Sequence, residues 1–93
     1  MKDSSAIRRL EIVNIKGLHA RAAARFVEVV EQYDATATVR RDGLCAAGDS
    51  IMGLLMLAAS QGTFIDVETR GPNAENLADA LSELVQNRFG EEA

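Results

Sequence analysis

The sequence predicts a two-layer α+β domain, in which three helices cover one face of a small sheet and leave the other face in water. Three observations carry this. Short stretches alternate apolar and polar residues, so each has one side to bury; three longer stretches repeat apolar residues at helical spacing; and glycine-containing turn signals separate them. The resulting order is β-α-β-β-α-β-α.

The elements follow in turn. In RRLEIVN, Leu10, Ile12 and Asn14 alternate with Glu11 and Val13, which predicts a short strand broken before Gly17. From Ala20 to about Gln32, Ala23, Phe26, Val27 and Val30 share one face of a helix, and Arg25, Glu28 and Glu31 take the outside. Thr36 to Arg41 and a second strand around Leu44 to Ala46 flank Asp42-Gly43, a strong hairpin signal. Ser50 opens a very apolar helix, IMGLLMLAAS. After Gly62, TFIDVET sets Ile65 and Val67 against Asp66 and Glu68 as a half-buried strand. Gly71-Pro72-Asn73 turns into a last helix carrying Leu77, Ala78, Leu81, Leu84 and Val85, which Gly90 is expected to stop.

Composition bounds what such a domain can do. A chain of 93 residues, 47% of them hydrophobic, can bury one modest core, so one domain over residues 1–93 is expected. Its net charge of -4, with no run of Lys and Arg, argues against nucleic acid. The apolar run Ile51 to Ala59 is far shorter than the ~20 residues of a membrane span. The start MKDSSAIRRLEIV has no export signal, and a single cysteine, Cys45, cannot form an internal disulfide, so the expected compartment is the cytoplasm. One histidine and one cysteine far apart cannot supply a metal's ligands, no glycine-rich phosphate loop is present, and no paired carboxylates stand out. No cofactor or metal is called for.

That leaves His19, in GLHARAAARFV. It lies between Gly17 and the helix that Ala20 begins, where backbone N–H groups lack helical partners and the dipole favours negative charge. Imidazole is both a nucleophile near neutral pH and a good leaving group, so a phosphoryl group can be accepted on a ring nitrogen and passed on. Arg21 offers a planar donor fork for phosphate oxygens. Equally open at this point is a histidine that caps the helix or packs on the sheet, beside an arginine on a solvated face. Ser50 is open in the same way, since Asp49-Ser50 before an apolar helix is what a structural N-cap looks like. The helix after it has more apolar residues than one stripe can bury, with Leu54 and Leu57 expected inside, and Gly53 costs it about 1 kcal/mol relative to alanine while admitting a close neighbour.

GLHARAAARFV, then GDSIMGLLMLAASQG, then a Gly-Pro turn before an amphipathic helix, resembles the HPr phosphocarrier family of the phosphoenolpyruvate-dependent phosphotransferase system, from about Leu10 to Phe89. The resemblance implies an open-faced β-sandwich of four antiparallel strands under three helices. It implies that His19 matches the phosphorylated histidine, Arg21 the arginine beside it, and Ser50 a serine that is a regulatory phosphorylation site in some members, modified by an HPr kinase. Ala20, Ile51, Met52 and Leu55, with Arg21, match a patch that docks donor and acceptor in turn. The implied function is a monomeric carrier, not an independent catalyst, that takes a phosphoryl group from enzyme I and gives it to a IIA-type protein. The alternative is a regulatory module of the nitrogen-related branch, whose phosphorylation state controls partner proteins. One departure stands inside the first motif: Ala22 replaces the proline usual in the family, which restores a backbone N–H at the helix start.

Overall fold

The computed structural model describes residues 4–93. The first three residues of the N-terminal stretch read above for an export signal, and of the expected domain span, lie outside the described residues. Four strands, β1 (Ser4–Glu11), β2 (Thr36–Arg41), β3 (Leu44–Ala47) and β4 (Phe64–Gly71), form one antiparallel sheet in the order β1-β4-β2-β3. Three helices, α1 (Ala20–Glu31), α2 (Ile51–Met56) and α3 (Ala74–Gln86), complete the expected β-α-β-β-α-β-α order, and a single 3-10 turn, Arg88–Gly90, follows.

Register explains which residues meet. Leu10 pairs with Ile65 and Val39 with Val67. These inward side chains pack with Phe26, Leu54, Leu77, Leu81 and Phe89 into one core. The inner threonine, Thr69, is fully buried and donates its hydroxyl to the Ala74 carbonyl at 2.7 Å, which avoids the cost of an unpaired polar group. On the open face, Glu68 accepts from Arg40 and Arg70 at 3.0 and 2.8 Å, and Arg9 lies 5.3 Å from the Phe64 ring centre. Those hydrogen bonds, from Arg70 first and then Arg40, hold the Glu68 carboxyl below its ordinary value. The hairpin between β2 and β3 turns on Asp42 and Gly43, both at positive φ, the backbone that a two-residue type I′ turn requires.

Beyond shifts of one or two residues in β3 and β4, three elements end elsewhere than the sequence predicts. β1 covers Ser4–Glu11 and not Arg8 to Asn14, because Ser4 and Ser5 find partners in Gly71 and Arg70, whereas β4 has no residue to pair with Val13 or Asn14. Beyond Glu11 the pairing continues only through Ile12, whose N–H donates to the Thr63 carbonyl and whose carbonyl accepts from Gly62, each at 2.8 Å. α2 ends at Met56 and not at Ser60, since Ala58 adopts the left-handed backbone at φ 51° and turns the chain away. α3 stops at Gln86, ahead of Gly90, as Arg88 and Phe89 take left-handed angles that return the Phe89 ring to the core.

Candidate functional site

The segment between β1 and α1 is built by backbone bonds to the far side of α2. The Leu18 N–H donates to the Ala59 carbonyl at 2.9 Å. Gly17 makes this approach possible: its φ is 67°, and a Cβ there would stand 2.6 Å from the Ala59 oxygen. No larger residue fits without moving backbone. The left-handed Ala58 that ends α2 therefore also delivers the acceptor that holds the His19 loop.

His19 occupies the N-cap position by backbone, extended at φ -82° and ψ -178°, with its carbonyl accepting from Ala23 at 2.8 Å. Its side chain makes no cap. Of the two structural roles open at the sequence level, the imidazole takes neither side-chain capping nor full burial, being 29% exposed. It turns instead to Glu91, whose Oε2 faces Nε2. The opening amides of α1 are thus left without a side-chain acceptor, beside the positive end of the helix dipole.

Glu91 is itself held. The fully buried Asn14 donates from Nδ2 to Glu91 Oε1 at 3.0 Å and to the Gly17 carbonyl at 2.8 Å. Burial pushes the Glu91 carboxyl up, yet the hydrogen bonds from His19 and Asn14, with the charges of His19 and Lys16, outweigh it and hold the group below its ordinary value. Lys16, His19, Arg21, Glu91, Glu92 and Ala93 line one shallow depression. A wider groove between α1 and α3, lined by Arg25, Tyr33, Asp79 and Glu83 among others, lies away from the histidine. Among the described residues, no three His, Cys, Asp or Glu side chains gather as metal ligands, and no helix is long and apolar enough to cross a membrane.

Of the residues singled out from sequence, His19 and Arg21 come together in the depression; Ser50, Ile51, Met52 and Leu55 sit on and before α2 and do not line it. Ser50 is a working N-cap, its Oγ accepting from the Gly53 N–H at 3.0 Å. Gly53 does admit a close neighbour, since a Cβ there would lie 3.1 Å from Ser50 Oγ and 3.3 Å from the Ala46 Cβ. Leu54 and Leu57 are buried as expected; Ile51 and Met52 are 40% and 69% exposed, Leu55 is half-buried, and Ala20 is exposed. The structure adds an exposed Ile15, together with Asn14, Lys16 and Glu91, which the sequence reading did not single out. Asn14 was legible only as an inward position, and Glu91 only as one of two acidic residues after Gly90.

Comparison with known proteins finds a match to the family model described as "PTS HPr component phosphorylation site" over residues 7–87. The chain is 45% identical over 83 residues to the phosphocarrier protein HPr of Pseudomonas aeruginosa, covering 88% of this chain and 92% of that protein. It is 36% identical over 86 residues to the phosphocarrier protein NPr of Proteus mirabilis, covering 91% and 96%. Among solved structures, the crystal structure of HPr from Bacillus anthracis superposes with a TM-score of 0.84 at 34% identity, covering 89% of this chain and 99% of that one.

Proposed function

The chain belongs to the HPr family of phosphotransferase-system phosphocarriers, and on that premise we propose that it accepts a phosphoryl group from enzyme I on His19 and passes it to a IIA-type protein. The observation that carries this reading is the free helix start: the α1 amides have no side-chain cap, and His19 and Arg21 line one depression beside them. In the first transfer a lone pair of the His19 ring forms a bond to phosphorus as the donor's bond to phosphorus breaks. In the second, the imidazole leaves and recovers that lone pair. Arg21 and the opening amides hold the phosphate oxygens. A shallow, wet site suits a carrier, since a phosphoryl group bound too tightly could not leave. The partner completes the charge stabilisation, so the protein is a relay and not an independent catalyst.

The proposed carrier is a single domain, monomeric and cytoplasmic, with no cofactor. Donor and acceptor dock in turn on Ala20, Arg21, Ile51, Met52 and Leu55; exposed methionine suits a surface that several partners share. Phosphorylation of Ser50 by an HPr kinase would bring about -1.5 to -2 charges to the start of α2 and weaken that docking.

Incubation with phosphoenolpyruvate and enzyme I, followed by intact mass under alkaline conditions, tests the reading. Wild type gains one phosphate and His19→Ala gains none; equal gain in both, or none in either, rejects it. Likeness to the NPr of Proteus mirabilis favours a second reading, a regulatory module of the nitrogen-related branch. A panel of IIA acceptors separates the two, the sugar-type proteins draining phosphate under the first and the nitrogen-type protein under the second.

A further inference from the structure

We infer that Glu91, braced by Asn14, is a positioning residue that fixes which nitrogen of His19 meets the phosphoryl group; the inference rests on the carrier function proposed above. A carboxylate can only accept hydrogen bonds, and a neutral imidazole has one nitrogen that donates and one that accepts. With Glu91 Oε2 facing Nε2, the hydrogen belongs on Nε2 and the lone pair on Nδ1.

Asn14 makes this arrangement stiff. Its Nδ2 reaches Glu91 Oε1 and the Gly17 carbonyl together, so the carboxylate is tied to the backbone of the loop that carries His19. Turning the amide over would aim its oxygen at two acceptors, which fixes its orientation. The side chain is fully buried, and its Oδ1 has no partner among the described residues. Stability alone disfavours such an orphan oxygen; an apolar residue would avoid it. Positioning Glu91 supplies a reason to keep the amide. The three side chains come from the loop after β1, the start of α1 and the segment after the 3-10 turn, so the arrangement exists only in the finished fold.

During transfer the Nδ1 lone pair forms the bond to phosphorus while the donor's bond breaks, and Nε2 keeps its hydrogen throughout. The ring carries positive charge while phosphorylated, and Glu91 faces that charge. When the acceptor attacks, the N–P bond breaks, the electron pair returns to Nδ1, and the ring leaves neutral with Nε2–H still held.

The test uses the full chain with 15N-labelled histidine. Before any phosphate is added, wild type should show one neutral tautomer with a pyrrole-type Nε2, and Glu91→Ala should show the Nδ1–H form as well. With phosphorylated enzyme I, Glu91→Ala should accept phosphate about tenfold more slowly, the order seen when groups orienting a ligating histidine are removed. Glu91→Gln, whose amide oxygen still accepts from Nε2–H while its NH2 group gives up the bond from Asn14, should keep the tautomer and lose less rate than Glu91→Ala. An unchanged tautomer and rate in Glu91→Ala, a faster rate, or wild-type phosphate found on Nε2 overturns the inference. Equal phosphate on wild type and His19→Ala, with the tautomer pattern as expected, rejects the carrier function and with it the transfer step, while leaving Glu91 as the group that orients the ring.

Discussion

Two helix starts in this molecule are finished in opposite ways. At α2, Ser50 turns its hydroxyl inward and accepts from the Gly53 amide, so the helix closes its own end. At α1, His19 holds the same position by backbone but turns its side chain away to Glu91, and no side chain caps the amides behind it. Serine, an ordinary N-cap, serves the fold at α2. Histidine in the equivalent place at α1 forgoes that stabilisation and leaves the opening amides uncapped. On the carrier function proposed above, the contrast separates a structural helix start from a chemical one.

The strongest way to break the contrast is to move the loop that presents His19. Gly17→Ala combines a left-handed backbone with a Cβ only 2.6 Å from the Ala59 oxygen. It should cost about 3 kcal/mol, read as a lower denaturant midpoint, and should slow phosphoryl acceptance as well. A variant as stable as wild type would mean that the loop is not held where it lies.

Exchanging the two kinds of cap sharpens it. Ser50→Ala should cost about 1 kcal/mol, and His19→Asp should gain up to about 1 kcal/mol by supplying the missing cap while abolishing phosphate uptake. Chemical denaturation and intact mass on the same samples check both. A destabilised His19→Asp in a Glu91→Ala background, where no second carboxylate opposes the new one, would show that the α1 amides are already satisfied.

A smaller effect is expected at Ala22. Its N–H precedes that of Ala23, which makes the first intrahelical bond to His19, so Ala22→Pro should remove no helical hydrogen bond. Reduced freedom of the unfolded chain should then stabilise the domain by about 0.5 kcal/mol. A loss of stability in thermal melts would place the Ala22 amide in a bond that the structure does not contain.

The smallest effect is at the tail. Because the folded Glu91 carboxyl lies below its ordinary value of 4.5, its contribution to docking is complete above that pH and is lost as pH falls through the lowered folded value. The amide resonances of Glu91 and Glu92 should therefore move in acid while those of β2 stay fixed. Movement only above pH 5 would contradict the assignment.

Much of the frame was legible because it rests on local patterns. Phe26, Val27 and Val30 announce the buried face of α1, and Asp42-Gly43 announces the hairpin, since spacing and turn chemistry act within a few residues. The ends of elements were not, as they depend on distant partners. Ser4 and Ser5 look like a polar lead-in, yet β4 makes them strand. The apolar run of α2 gives no sign that Ala58 must turn so that Ala59 can reach Leu18. At the site, His19 and Arg21 stood out by chemistry and by resemblance to a family. Glu91 did not, because an acidic residue after the last helix reads as solvated unless the fold returns it to the other end of the chain.

That return has a consequence for how the protein is made. The His19–Glu91 pair joins residues 72 positions apart, so its closing entropy is repaid only after α3 and the turn beyond it have docked. A chain still on the ribosome carries His19 well before its carboxylate partner, 72 positions further on, has been added. The His19 ring is therefore paired only once Glu91 has been made and has docked, and a nascent chain, or one truncated before Glu91, would expose a histidine without that partner.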